Sequence, residues 1–231
     1  MVSKLLARAD LRPTGATRNT TLRISEIFAS IQGESSRVGL PTVFVRLTGC
    51  PLRCVWCDTE YAFTGGRNRL LGELVDDIRS FGIPTICVTG GEPLAQEGCR
   101  ELLRVLCDAG LSVSLETSGA LDIDDIDPRV SRIMDLKAPA SGECERNRLE
   151  NIALLRQTDE IKFVLADEAD YAWAKTMIVE HRLGERCPVL MSPVHGSLDP
   201  TTLAELIVRD RLPVRFQMQL HKILWAGARG K

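Results

Sequence analysis

The chain of 231 residues carries 44% hydrophobic and 26% charged residues, a balance that argues for a packed core and against wholesale disorder or a fibrous repeat. Lys plus Arg number 29 against 31 Asp plus Glu, a net charge of −2, so the basic excess by which nucleic-acid binders neutralise phosphates is missing. No apolar run approaches the ~18 residues of a membrane span, and residues 1–20 lack the apolar core of a secretory leader, so no membrane or export role is expected.

Residues 1–21 mix basic, Pro, Gly and Thr residues without periodicity and read as a flexible N-terminal tail, with 22–231 as a single domain. A strand is predicted at TVFVRL (42–47), then a helix over 69–81, where apolar residues recur three and four apart. TICVT (85–89) and LSVSLET (111–117) predict strands on either side of a helix over 96–110, with Gly110 as its stop. RIMDL (132–136), a helix over 145–157 and EIKFVL (160–165) continue the alternation. A helix over 167–184 with Gly184 at its end, the strand CPVLMS (187–192), a helix over 199–210 opened by Asp199-Pro200, and the strand VRFQMQL (214–220) complete it. Several strands are nearly continuous apolar runs, as expected of strands buried on both faces.

Strand-helix alternation implies an α/β fold with parallel strands. Seven strands fall short of a complete eightfold barrel, so a partial, splayed (β/α) barrel with about six or seven parallel strands is expected; a doubly wound sheet is the competitor. Polar or glycine-rich residues end almost every strand, in TGCPLRCVWCDT, TGGEP, ETSG, DLKAP and MSPVHG. The carboxyl ends of parallel strands open onto one face, so these loops converge on one site.

Of eight cysteines, Cys50, Cys54 and Cys57 form C-x3-C-x2-C on one loop. In a long chain without a leader, clustered cysteines point to metal rather than disulfides and to a cytoplasmic protein. A four-cysteine electron-transfer cluster or a closed zinc site wants four ligands, and three thiolates leave one iron of a 4Fe–4S cluster open to a further molecule. The alternative is a zinc site completed by a distant Cys or His. Cys99 and Cys107 lie in an apolar helical pattern and are expected in the core.

The cysteine loop followed by GGEP resembles the radical S-adenosylmethionine superfamily. SIQGES (30–35), G-x-P-T-V-F-V-R-L-T-G-C (39–50), WCDT (56–59), VTGGEPL (88–94), LETSG (115–119), DLKAP (135–139), SPVHG (192–196) and Q-L-H-K-I-L-W (219–225) resemble its 7-carboxy-7-deazaguanine synthase family, over roughly residues 22–225. The resemblance implies a 4Fe–4S cluster on Cys50, Cys54 and Cys57, S-adenosylmethionine bound to its open iron and cleaved reductively, and ring contraction of 6-carboxy-5,6,7,8-tetrahydropterin to 7-carboxy-7-deazaguanine with loss of ammonia. The runner-up is a glycyl-radical-activating enzyme of the same superfamily.

Family motifs then imply contacts to S-adenosylmethionine from Trp56, Cys57, Asp58, Gly90, Gly91 and Glu92, and from Asp135, Leu136, Lys137 and Ser192. Ile31, Gln32, Gly33, Glu34 and Thr89 match substrate contacts, and Thr59 matches a magnesium ligand. Arg46, an arginine in an apolar strand, suits a bidentate pair with the substrate carboxylate, and Glu116 suits its amino-pyrimidine edge. The resemblance also implies a homodimer, an electron donor such as flavodoxin or ferredoxin, and a product used for the tRNA base queuosine. The chain runs on to Arg229-Gly230-Lys231, further than some relatives, which counts against a substrate contact by its carboxyl terminus.

Overall fold

The computed structural model describes residues 19–231. The tail expected over 1–21 lies, through residue 18, outside the described residues.

The strands are β1 (Thr21–Ile31), β2 (Pro41–Leu47), β3 (Arg67–Leu70), β4 (Thr85–Gly90), β5 (Ser112–Thr117), β6 (Ser131–Asp135), β7 (Glu160–Leu165), β8 (Val189–Pro193) and β9 (Arg215–Phe216). They form one open sheet in the order β3-β1-β2-β4-β5-β6-β7-β8-β9. From β2 to β9 the pairings are parallel, while β1 is antiparallel to both β2 and β3. A doubly wound sheet reverses its strand order midway, and here the parallel strands follow one another in chain order without reversal, as in a barrel left open.

Side-chain alternation gives the second reason. Val43, Val45, Ile86, Val88, Val113, Leu115, Ile161, Phe163, Val189 and Met191 belong to one buried cluster with the apolar residues of the helices α1 (Leu71–Ser80), α2 (Gly98–Asp108), α3 (Glu168–Glu180) and α5 (Pro200–Asp210). The intervening residues, among them Arg46, Thr89, Glu116, Asp135 and Lys162, point to the opposite face and line a cavity. The strands are therefore apolar on the helix side and chemically furnished on the other. The expectation of burial in two apolar layers is corrected accordingly.

Five further boundaries differ from expectation. The strands β1 and β3, paired antiparallel, were not expected; β3 takes residues 67–70, so α1 starts at Leu71 rather than 69. The helix expected over 145–157 is instead two 3-10 segments, Cys144–Arg146 and Leu149–Leu154. Asn147 and Asn151 use their side chains to bind backbone of Lys137, Gly119 and Leu121, and Leu149 and Leu154 stay exposed, so a regular helix has neither its hydrogen bonds nor a buried stripe. The helix expected over 167–184 breaks at Arg182, in the left-handed region at φ 50°, and Gly184 falls inside the short α4 (Leu183–Arg186). Finally, the strand expected over 214–220 shrinks to Arg215–Phe216, and Leu220 opens α6 (Leu220–Trp225). Cys99 and Cys107 are in the core as expected.

The segment after β9 crosses back to the β1 side of the molecule. The Gln217 side chain accepts from Ser35 N (3.0 Å) and donates to Ser35 O (2.6 Å), and Leu220 N donates to Gly33 O (3.1 Å). That return closes the mouth between the two ends of the sheet and makes the inner face a cavity. No described helix is long and apolar enough to cross a membrane.

Candidate active site

The cavity holds about 360 Å³, within the size range of small-molecule sites. One wall is the loop after β2. Its three cysteines are free, half-buried and all line the cavity. Backbone bonds shape this loop: Gly49 N donates to Ala62 O (2.7 Å), Glu92 N to Gly49 O (2.7 Å), Val55 N to Ser141 O (3.0 Å) and Cys57 N to Cys54 O (3.2 Å). Gly91 is obligatory there, because a Cβ at that position would sit 2.1 Å from Gly49 O. Arg53 donates to the carbonyls of Cys50 and Leu52 (2.8 and 2.6 Å) and stacks 4.2 Å from the Phe63 ring, tying the loop to itself.

Burial pushes the thiols of Cys50 and Cys54 up, with the Lys137 ammonium acting in the opposite direction, so loading a metal centre must displace protons from them. Among the described residues no group of three His, Cys, Asp or Glu converges as on a single ion. A tetrahedral zinc needs such convergence. An iron–sulfur cluster does not, since each thiolate binds a different iron of a body several ångströms across. The donor set, three soft sulfurs on one half-buried loop beside a roomy cavity, fits the cluster. A buried acceptor without a partner, Asp135 Oδ1, stands on the wall of the same cavity and suits a donor on a bound molecule.

The parallel register sets neighbouring strands' inward residues side by side: Arg46 beside Thr89 and Asp135 beside Lys162. Glu116 accepts from Thr89 Oγ1 (3.0 Å) and Gln32 Nε2 (3.4 Å). Lys162 Nζ lies 2.9 Å from Glu34 Oε2 and 3.6 Å from Asp135 Oδ2, and Lys137 Nζ lies 2.9 Å from the same Asp135 oxygen. Burial opposes ionisation of all four, but the ion pairs outweigh it: both carboxyls are held below their usual range and both ammoniums above theirs. Asp58 sits 3.6 Å from His221 Nε2 and 3.5 Å from Lys222 Nζ, and against partial desolvation the His221 hydrogen bond and the Lys222 ammonium hold it well below the carboxylate range.

Arg46 meets Glu26, its opposite neighbour on β1, at 2.8 Å. Tyr61 donates to the same Glu26 oxygen at 2.7 Å. Burial opposes both charges, and the pair still keeps the carboxyl low and the guanidinium high, while burial and Glu26 push the Tyr61 phenol up to about 12.

Most residues expected from sequence face this cavity. Cys50, Cys54, Trp56, Cys57, Asp58 and Thr59 do so from the cysteine loop, and Ile31, Gln32, Gly33 and Glu34 from the end of β1 and the residues that follow it. Arg46, Thr89, Gly90, Gly91, Glu116, Asp135 and Lys137 do so from the strand ends. Three do not. The Glu92 carboxylate is fully buried and taken up by Leu94 N, Thr117 Oγ1 and the Ser118 N–H and hydroxyl (2.6–3.0 Å), a clamp between the β4 and β5 loops. Leu136 is a core side chain, and Ser192 is buried behind the lining with its hydroxyl unpartnered. Sequence reasoning missed Glu26, Tyr61 and Lys162. Lys162 carried the same signal as Arg46, a cation in an apolar strand, and a buried Arg46 itself required a counter-ion. Two of three histidines, His195 and His221, line the cavity although neither is near the cysteines in sequence, and so do residues 227–231 at the carboxyl terminus, against expectation.

Residues 44–137 match the Radical SAM superfamily. The chain is 50% identical over 213 residues to a 7-carboxy-7-deazaguanine synthase of Chlorobaculum tepidum, covering 90% of this chain and 97% of that protein. It is 41% identical over 221 residues to a 7-carboxy-7-deazaguanine synthase of Koribacter versatilis, covering 88% and 97%. Its fold is similar to the crystal structure of QueE from Escherichia coli, with a TM-score of 0.68 at 22% identity over 87% of this chain and 95% of that one. With an open barrel, a three-thiol loop at its mouth and likeness to these synthases along nearly their whole length, the chain is an enzyme of the 7-carboxy-7-deazaguanine synthase family within the radical S-adenosylmethionine superfamily.

Proposed function

We propose that the chain converts 6-carboxy-5,6,7,8-tetrahydropterin to 7-carboxy-7-deazaguanine with loss of ammonia, in the cytoplasm and toward 7-deazapurines such as queuosine in tRNA. The observation that carries the reading is that one cavity is lined both by three thiols and by the Arg46 guanidinium and the Glu116 carboxylate. Cys50, Cys54 and Cys57 would hold a 4Fe–4S cluster with one iron left for S-adenosylmethionine. Bound there, these two groups would supply reductive radical chemistry for the substrate's ring.

The protein's work is placement and exclusion of water. Arg46 is bound to Glu26 through Nε and keeps Nη2 for a carboxylate on the substrate. Glu116 retains lone pairs beyond those used by Thr89 and Gln32, and these suit the N–H groups of an amino-pyrimidine edge. The Ile31–Glu34 stretch is braced by Gln219, whose Nε2 donates to Glu34 Oε1 (2.9 Å). Trp56 and Asp58 flank Cys57, and Gly90, Gly91, Asp135 and Lys137 line the same space; these suit S-adenosylmethionine. Thr59, with its hydroxyl 3.7 Å from Cys57 Sγ, would give one oxygen to a magnesium ion that keeps waters and the substrate carboxylate as its other ligands. The functional unit would be a homodimer reduced by a flavodoxin or ferredoxin.

The test is anaerobic reconstitution with iron and sulfide, then incubation with the carboxypterin, S-adenosylmethionine and reductant. The product mass expected is that of 7-carboxy-7-deazaguanine. Iron and sulfide uptake without that product would overturn the substrate assignment, and zinc in place of iron would overturn the radical chemistry as well.

A further inference from the structure

Two guanidiniums, from opposite ends of the chain, share one carboxylate at this cavity's edge. Arg46 Nε binds Glu26 Oε1 at 2.8 Å, and Arg229 Nε reaches Glu26 Oε2 at 3.4 Å. Tyr61 joins them: its hydroxyl donates to Glu26, its ring carries the Arg229 guanidinium at 4.0 Å and that of Arg46 at 6.0 Å. Both arginines and Tyr61 line the cavity, whereas Glu26 lies behind them and does not. One carboxylate balances one of the two cations.

The remaining donors are free. Arg46 spends Nε on Glu26 and Nη1 on Gly90 O at 3.4 Å, and Arg229 spends only Nε. Among the described residues, neither Nη2 of Arg46 nor either Nη of Arg229 has a hydrogen-bond partner. Arg46 is largely buried and Arg229 is more exposed, at 59%, and a guanidinium held over an aromatic ring with an unused N–H fork is arranged for a planar anion. Glu116, the other acid near Arg46, has its oxygens on Gln32 and Thr89 and takes neither fork.

We propose that Arg229 is a specificity-determining residue that completes, with Arg46, a two-arginine clamp for the carboxylate of the substrate, and that Glu26 and Tyr61 are positioning residues that hold both forks toward the cavity. This rests on the carboxypterin reading above and adds to it the residue that separates a carboxylate from its uncharged counterpart. The carboxyl-terminal extension thereby contributes to the site through a side chain four residues beyond the end of α6, at a position where Gly227 and Gly230 on either side let the chain turn inward with φ of 76° and 70°.

The experiment compares equilibrium binding of 6-carboxytetrahydropterin and its 6-carboxamide to cluster-loaded wild-type protein, Arg229→Ala and Arg229→Lys, with iron content measured alongside. Loss of a charge-assisted pair predicts about tenfold weaker binding of the acid by Arg229→Ala. The carboxamide should bind both proteins alike, and Arg229→Lys should fall between, keeping the charge but losing the fork. Equal affinity of Arg229→Ala and wild type for the acid would overturn the clamp, as would equal weakening for both ligands, which would make the tail a cover rather than a reader of charge. A wild-type protein that binds neither compound would overturn the carboxypterin reading and the clamp with it, whereas wild-type turnover with an unaffected Arg229→Ala would sink the clamp alone.

Discussion

Replacing Lys162 by methionine keeps the bulk of the side chain but strips two carboxylates of their shared cation. Glu34 Oε2 lies 2.9 Å and Asp135 Oδ2 3.6 Å from Nζ, and all three side chains are nearly buried, at 10–15% exposure. Breaking a buried pair by removing one partner costs about 3–5 kcal/mol, and the cavity's access to water favours the lower end. For a domain of this size each kcal/mol shifts the melting temperature by about 2–4 °C, so Lys162→Met should melt about 6–12 °C below wild type near neutral pH.

The pH dependence sharpens the test. In the wild type the lowered carboxyls contribute stability above their unfolded values, near 4, and lose it as pH falls through the lower folded values; the raised Lys162 contributes below about 10.4 and loses it as pH rises through its folded value. Stability is therefore level in this respect between those limits. In the variant, burial acts on Glu34 without its main opponent, its pKa rises, and the folded state takes up protons before the unfolded one does. Stability should then increase as pH drops from about 7.5 to 5.5, the opposite of acid destabilisation. Melting curves of both cluster-loaded proteins across that range decide it. A drop in melting temperature under about 2 °C, or an unchanged pH slope, would refute the claim that Lys162 neutralises this pair.

Other substitutions address other links. Glu116→Gln should weaken carboxypterin binding about 10- to 100-fold while leaving the melting temperature level or higher, because Glu116 has neutral donors rather than an ion pair to lose; isothermal titration and melting curves check both halves. Gly91→Ala drives a Cβ to 2.1 Å from Gly49 O and 3.1 Å from Cys50 Cβ, so the cysteine loop must shift, and iron content after reconstitution should fall where Gly110→Ala, with open space around its Cβ, should leave iron unchanged. Thr59→Ala should blunt the response of activity to added magnesium at unchanged iron content; an identical magnesium titration would remove Thr59 from the ligand set.

The parallel part of the fold was legible because each of its strands is a short apolar run ending in a chemically unusual loop, two signals that agree. TGCPLRCVWC and TGGEP therefore fell on the site. The antiparallel β1 was not, since TLRISEIFASI buries only Leu22 and Ile24 fully, and the side chains it gives to the cavity are the apolar Phe28 and Ile31. Pairings were the least legible. Glu26 and Arg46 lie 20 residues apart and meet only through the β1–β2 register, and Lys162 meets Glu34 across 128 residues. Glu92 shows the converse limit: a motif residue can be indispensable to the loop without facing the ligand, because a fully buried carboxylate with four donors has no capacity left to offer.

The charges around the cavity divide into two kinds once their partners are compared. Glu34, Asp135, Asp58 and Glu26 each face at least one cation within 3.6 Å, so each is neutralised by the protein itself. Glu116 is different: its partners are a hydroxyl and an amide, and no ion pair to it is found among the described residues. A half-buried carboxylate in that position is stable enough to fold but under-satisfied, and what suits it is a molecule with several N–H donors on one edge. At the Arg46–Arg229 end the imbalance is reversed, two cations against Glu26. A ligand that is anionic at one end and rich in N–H donors along another edge corrects both imbalances at once, while one lacking either feature leaves a charged group short of a partner. The selectivity of the site thus follows from what the fold leaves unpaired.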